Sequence, residues 1–191
     1  MEGYMIKNDL FISYRHSIGD DLNVVRDIAN HLRQNGFEVF VDESDIENFD
    51  SITQTIERDL ANSRALLVYL TKDYFSSRAC LWELTSVFIA ANKGGRNPRD
   101  RIFIINPSDT TESLGQLPVE LQDAKYALSL ETVLKEIPKC LCKINDTFQN
   151  LGPLSFPKTY GRNLTSSPRF VGRLREMWDL HSYLNEFGCI W

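Results

Sequence analysis

Several features that would assign a protein to a class at once are missing from this chain of 191 residues. No apolar run approaches the roughly 18–20 residues that cross a bilayer, and the N-terminus has no charged-then-apolar leader. We therefore expect no membrane contact and a cytoplasmic location. Basic residues are not in excess, because 21 Lys and Arg against 26 Asp and Glu give a net charge of −5. That balance argues against direct binding to nucleic acid.

Cysteine is scarce, and its spacing fits no metal site. The four cysteines, Cys80, Cys140, Cys142 and Cys189, form no CxxC pair, so the sequence predicts no metal centre and reduced thiols. Glycine-rich phosphate loops are also missing, both the GxGxxG type after the first predicted strand and the type that ends in Lys-Ser/Thr. A bound redox dinucleotide is therefore not expected.

Apolar segments alternate between two periodicities along most of the chain. Short, strongly apolar runs predict strands at 8–14, 37–41, 65–70, 101–105 and 124–128. Helical spacing predicts helices at 19–35, 51–62, 77–93 and 129–143. Asn35-Gly36 is predicted to end the first of these helices, and Ser129 is predicted to cap the last. Residues 106–123 are predicted to form a loop. This alternation is typical of βαβ units, and therefore of an α/β fold with a doubly wound parallel sheet of about five strands.

The composition of the sequence changes after about residue 143. Glycine and proline among polar residues predict a linker at 144–168. Helical character returns at 170–187. We therefore divide the chain into a domain at 7–143, a linker at 144–168 and a short third segment at 169–191.

An ordered set of motifs in the first segment resembles TIR domains. Residues 9–14 and 36–42 resemble the first two strands of that family, and residues 42–50 occupy the place of its BB loop. The third piece resembles the family signature that contains a serine, a cysteine and a catalytic glutamate: Ser76-Ser77-Arg78-Ala79-Cys80-Leu81-Trp82-Glu83-Leu84. The likeness covers residues 7–143 in order and implies a flavodoxin-like sheet.

The resemblance implies an NAD glycohydrolase in which Glu83 is the catalytic residue and NAD is the substrate, with no other cofactor. Cleaving the nicotinamide–ribose bond builds positive charge on the sugar, as in glycoside hydrolysis, and a nearby carboxylate stabilises that charge. Helical geometry puts Glu83 at the edge of the buried stripe of its helix. The product, ADP-ribose or a cyclic isomer, stays open.

Other candidate substrate-binding residues follow the first two predicted strands. Ser13, Tyr14 and Arg15 end or follow the first strand, and Asp42 and Ser44 follow the second. Ligands of doubly wound sheets lie beyond the carboxyl ends of the strands, so we expect these residues on the rim of the NAD crevice. Arg15 is suited to a bidentate contact with phosphate.

Two departures from the family pattern support an alternative. The tryptophan that usually stands four residues before the glutamate is replaced by Ala79, and the BB loop lacks its usual glycine and proline. These changes favour a non-catalytic scaffold that signals through TIR–TIR contacts. A phosphate-binding receiver of the flavodoxin-like type is disfavoured, because no acidic pocket adjoins the first strand.

The C-terminal segment has a resemblance of its own. Residues 168–173, followed by an amphipathic helix, resemble the start of a STAND-type, NLR-like NTPase module. We therefore expect either an N-terminal piece of a longer receptor with a C-terminal sensor or a natural protein that has lost the rest of such a module. The resemblance implies an immune or antiphage effector that self-association of TIR domains switches on.

Overall fold

The computed structural model describes residues 8–15, 21–41, 52–92, 96–107, 111–123, 126–127 and 129–151. The predictions made for residues 42–50, which include Asp42 and Ser44, lie outside the described residues. The same is true of the predicted helix at 170–187 and of the STAND-like segment.

A parallel β-sheet forms the centre of the domain. Its strands in chain order are β1 (Asn8–Tyr14), β2 (Val39–Val41), β3 (Ser63–Tyr69) and β4 (Ile102–Ile105). They lie side by side in the order β2–β1–β3–β4, and every pair is parallel. This order is that of the flavodoxin-like doubly wound fold, so the predicted fold class is confirmed.

Helices cover both faces of the sheet. In chain order the described helices are α1 (Asp21–Gln34), α2 (Ile52–Ala61), α3 (Arg78–Asn92), α4 (Thr111–Leu114), α5 (Val119–Gln122), α6 (Leu130–Leu141) and α7 (Phe148–Leu151). Helix α1 ends where the sequence predicts, at Gly36. This glycine has a φ of 84°, and the Phe37 N–H donates to the Leu32 carbonyl at 3.2 Å, as in a Schellman cap.

Successive strand residues contribute to two separate cores, because side chains alternate across a sheet. Phe11 belongs to a core shared with α2 and α3, which we call the α2–α3 core, on the α2–α3 face of the sheet. Leu10 and Ile12 belong to a core shared with α1 and α6, which we call the α1–α6 core, on the opposite face. The same alternation continues in β3 and β4. This parity determines which side chains at the strand ends share a face.

One prediction for the second half of the domain is wrong, and another is tested over two residues. The segment predicted as a loop at 106–123 contains the short helices α4 and α5, and Leu117 and Leu121 join the α2–α3 core. Burial of these leucines in the core stabilises helices in a segment whose proline and glycine content predicts a loop. Of the predicted fifth strand at 124–128, residues 126–127 are described, and Ala127 forms an isolated parallel bridge with Ile105 of β4.

The packed core also continues past residue 143, where composition predicts a linker. Ile144 is buried in the α1–α6 core. Phe148 and Leu151 of α7 are buried in the α2–α3 core, at 0% and 6% exposure. Ile144, Phe148 and Leu151 stand at i, i+4 and i+7, which is helical spacing, so the sequence carries a signal here that the prediction from composition missed.

Two kinds of structural feature are absent from the described ranges. Within them, no helix is long and apolar enough to span a bilayer. Across that same part of the chain, no group of His, Cys, Asp and Glu side chains is arranged to hold a metal ion.

Candidate active site

The candidate site lies at the carboxyl edge of the sheet. Strand β1 ends there at Tyr14, and β3 ends there at Tyr69. The chain then passes through a 3₁₀ turn, Tyr74–Ser76, before α3 begins. Parallel strands end together at this edge, which is where doubly wound folds bind their ligands.

Helix α3 positions Glu83 in its second turn. The Ser77 Oγ accepts a hydrogen bond from the Cys80 N–H at 3.4 Å, which is the arrangement of an N-cap serine. Glu83 is only 3% exposed. It is more buried than its predicted place at the edge of a stripe implies, because side chains on both sides of it, including Leu81 and Ser86, are buried as well.

Tyr74 connects the end of β1 to the first turn of α3. Its hydroxyl lies 2.7 Å from the Ser13 Oγ and donates to the Cys80 carbonyl at 3.3 Å. Since a tyrosine hydroxyl has one proton, the Ser13 hydroxyl is the donor when Tyr74 donates to Cys80. Tyr74 is fully buried, so these bonds are shielded from water.

A further contact joins the same two elements. The Cys80 thiol donates to the Tyr14 carbonyl at 3.2 Å, and Cys80 is itself buried. Cys80 therefore holds the last residue of β1 through its sulfur and holds Tyr74 through its carbonyl. Glu83 follows one helical turn later, so these contacts determine where its carboxylate stands relative to the sheet.

The electrostatics of Tyr74 show that the Glu83 carboxylate is close to this network. Burial raises the pKa of Tyr74 well above its usual value of 10.0. The nearby Cys80 and Glu83 groups raise it further, while the hydrogen bond from Ser13 lowers it. Tyr74 is therefore a neutral hydrogen-bonding group at physiological pH, within electrostatic reach of Glu83.

The structure separates the three candidates from the first strand. Ser13 lies on the α2–α3 side with Tyr74 and is 1% exposed. The Tyr14 side chain belongs to the α1–α6 core on the opposite face. Arg15 lies at the rim, where its guanidinium donates to the Asp73 carbonyl at 3.1 Å in an exposed hydrogen bond. Ser13 is thus joined to Tyr74, ahead of α3, whereas the Tyr14 side chain lies on the other face of the sheet.

Ala79, which stands where the family usually carries tryptophan, and Trp82, which directly precedes Glu83, differ in exposure. Ala79 is exposed at the start of α3. Trp82 is half-buried and packs against the α2–α3 core. An aromatic side chain is therefore present beside Glu83, but it is engaged in packing.

Sequence reasoning missed Tyr74 and Asn106. Tyr74 stands in a polar loop, where its aromatic side chain is the one local sign that the residue is buried. Asn106 directly follows β4 at the same edge and is 0% exposed; its N–H donates to the Ala127 carbonyl at 3.1 Å. Burial of a polar residue is invisible to a periodicity scan, because that scan reads only apolar positions.

Comparisons with known proteins agree with this architecture. The family model of the TIR domain matches residues 10–131. A 63-residue stretch is 40% identical to 2' cyclic ADP-D-ribose synthase BtTIR of Bacteroides thetaiotaomicron, and the match spans 33% of this chain and 21% of that protein. This chain therefore covers about a fifth of that relative's length.

Two solved structures align with this chain. The TIR domain of the Toll-related receptor TRR-2 from Hydra magnipapillata aligns with a TM-score of 0.51 and 17% identity, over 71% of this chain and 98% of that one. The TIR domains of the activated Roq1 resistosome, which directly recognises the pathogen effector XopQ, align with a TM-score of 0.46 and 19% identity, over 89% and 96%. Because the family model matches more than half of the residues, this chain belongs to the TIR domain family.

Proposed function

We propose that this chain consumes NAD by cleaving the bond between nicotinamide and ribose, with Glu83 as the catalytic carboxylate. The name of the partial relative, a cyclic ADP-D-ribose synthase, supports an NAD-derived product. NAD is the substrate in this proposal, and no other cofactor is required. The single observation that carries it is the buried Glu83 beside Tyr74 at the carboxyl edge of the sheet.

The proposed chemistry needs one anionic group. When the C1′–N bond breaks, its electron pair leaves with nicotinamide and neutralises the pyridinium charge. The ribose then carries positive charge, as an oxocarbenium-like centre. A fixed carboxylate in a water-poor site stabilises that charge, which is worth roughly 10²–10³ in rate for a preorganised group. Attack by water gives ADP-ribose and a proton, and attack by a hydroxyl of the same molecule gives a cyclic product and a proton.

The remaining residues have supporting roles in this proposal. Arg15 stands half-buried at the rim, where its guanidinium, which donates to the Asp73 carbonyl, is suited to the diphosphate. Ser13 acts through Tyr74, because its Oγ is already hydrogen-bonded there. For Tyr14 the group at the site is the main-chain carbonyl, which accepts from Cys80. Asp42 and Ser44 are retained as substrate contacts because they follow the second predicted strand in the sequence.

Burial of Glu83 also favours control by self-association. At 3% exposure the carboxylate is almost closed to a ligand in the single chain, so side chains around it must move before ribose reaches it. We propose that TIR–TIR contacts supply this rearrangement, a gating step of the kind that limits many enzymes. An immune or antiphage role and a C-terminal STAND-like module belong to the same proposal and rest on the sequence resemblance.

The test compares the wild type with Glu83→Gln and Glu83→Ala, each clustered on a scaffold and incubated with NAD. Chromatography follows NAD loss, nicotinamide release and the product. We expect turnover by the wild type, rising with clustering, and a loss of about 10²-fold or more in both variants. Glu131→Gln is the matched control, because Glu131 is exposed on α6. Equal rates for the wild type and Glu83→Gln would remove the catalytic role.

A non-catalytic scaffold is the second candidate. Two observations favour it: Ala79 is exposed where the family carries tryptophan, and Glu83 is closed to solvent. The same assay separates the two functions. A scaffold would self-associate, as measured by light scattering, while the clustered wild type released no nicotinamide.

A further inference from the structure

A second concave site lies at the opposite edge of the sheet from Glu83. It is a cavity of about 710 Å³, formed where α3 and α6 end and where β4 begins. Its lining includes Ala91 of α3, Arg101 before β4 and Lys143 after α6. We call it the basal cleft. Its volume falls within the range of small-molecule sites, about 300–1,000 Å³.

Positive charge dominates the lining of the basal cleft. The cationic residues among those that line it are Arg96, Arg99, Arg101 and Lys143. Asp100 is the carboxylate among the described lining residues. This contrasts with the chain as a whole, whose net charge is −5. The cleft therefore concentrates positive potential on an acidic protein, which favours an anionic occupant.

The cationic residues of the cleft differ in the hydrogen bonds and ion pairs that they already form within the fold. Arg101 is committed to structure, since its guanidinium pairs with Asp146 at 2.6 Å and donates to two main-chain carbonyls. Arg99 forms an ion pair at 3.2 Å with Asp123, whose side chain is 91% exposed, and its guanidinium donates to the Asn97 Oδ1 at 3.3 Å and to the Asp123 carbonyl at 3.4 Å. All three contacts are exposed, and exposed ion pairs contribute little to stability. Lys143 is exposed. Arg99 and Lys143 are therefore the cations that a ligand can recruit at little cost.

An apolar wall faces these charges. Phe103 of β4 is half-buried and lines the cleft together with Ile144 and the Cys140 side chain. A partly exposed aromatic ring next to guanidinium groups is a combination that binds a base and a phosphate at once. A purely inorganic anion would leave this wall uncovered.

We infer that the basal cleft binds a nucleotide-sized ligand, with its phosphates held by Arg99 and Lys143 and its base against Phe103. This site is distinct from the proposed NAD site. Ala91 and Glu83 lie eight residues apart on α3, or about 12 Å along the helix axis, with Glu83 in the second turn and Ala91 in the last. An occupant of the basal cleft thus does not compete for Glu83.

The test measures ADP binding by calorimetry at about 0.15 M salt, where the Debye length is about 8 Å, with the full chain carrying Glu83→Gln. We expect saturable binding that Lys143→Glu weakens about tenfold or more. Asp123→Asn removes the competing partner of Arg99, so we expect it to tighten binding severalfold. The matched control is Lys135→Glu, the same charge change at an exposed position of α6 outside the cleft.

Three outcomes would overturn the inference. The first is no saturable ADP binding by the parent chain, with Lys143→Glu only lowering its melting temperature. In that case the cations merely complement the carboxyl ends of α3 and α6. The second is an equal loss with Lys135→Glu, and the third is equal affinity for ADP and inorganic phosphate. Since binding is measured without turnover, failure here leaves the proposed role of Glu83 untouched, and the reverse also holds.

Discussion

The hydroxyl of Tyr74 lies 2.7 Å from the Ser13 Oγ, and this contact joins residues 61 positions apart in the chain. It bridges the last turn before α3 and the end of β1. The two side chains share the α2–α3 side of the sheet, next to the carboxylate that we propose for catalysis. Two of the five predictions that follow test this contact directly.

A double-mutant cycle of Ser13→Ala and Tyr74→Phe measures the contact itself. Each single variant leaves a buried polar partner, so we expect each to lower the free energy of unfolding by about 1–2 kcal/mol. The pair is expected to cost less than the sum, with a coupling of about 1 kcal/mol. Urea titration measures stability. Additive losses would mean that the hydroxyls do not interact in solution.

The same variants test whether Tyr74 positions Glu83. We expect Tyr74→Phe to lower kcat of the clustered chain for NAD while KM changes little, since the contact orients the catalytic group and does not touch substrate. Tyr126→Phe is the control, because Tyr126 is only half-buried beside the α2–α3 core. A change confined to KM would contradict the positioning role.

Phe148→Ala tests whether residues beyond 143 belong to the packed domain. Phe148 is fully buried among α2–α3 core residues, so we expect a loss of about 3–5 kcal/mol in the free energy of unfolding. Its exposed neighbour provides the control, since Gln149→Ala should change stability by less than about 0.5 kcal/mol. A linker residue at 148 would make the two variants equally mild.

Alkaline pH is expected to destabilise the fold through Tyr69. Burial, and then the charge and hydrogen bond of Asp21, raise the pKa of Tyr69 from 10.0 to about 12. The folded state thus favours the neutral phenol. Its contribution to stability is complete below pH 10 and is lost as the pH rises from 10 to about 12. Urea titrations across that window should show a shallower loss for Tyr69→Phe than for the wild type, and parallel curves would contradict the prediction.

Ala79→Trp tests the departure from the family pattern next to Glu83. Ala79 is exposed, so a larger side chain fits there without disturbing the core. If the ring stacks on NAD, we expect KM to fall about 3- to 10-fold, the equivalent of roughly 0.5–1.5 kcal/mol for an aromatic pair. Ala79→Leu adds apolar bulk without a ring, so an equal effect from leucine would exclude stacking.

Sequence patterns determined the architecture, because strands and helices leave local, periodic signals. The first strand was predicted at residues 8–14 and is observed as Asn8–Tyr14. The predicted stop at Gly36 and the predicted cap at Ser129, whose Oγ accepts from the Thr132 N–H, are both confirmed. Each of these features depends on residues that are close together in the chain, so the local sequence is sufficient to predict it.

Only the tertiary structure decided how the candidate site is arranged. Strand parity puts Ser13 beside Tyr74 and sends the Tyr14 side chain to the opposite face. The burial of Glu83 depends on neighbours from the whole α2–α3 face. The basal cleft collects residues from α3, β4 and α6. These relationships join parts of the chain that are distant in sequence, and packing alone brings them together, so no local pattern encodes them.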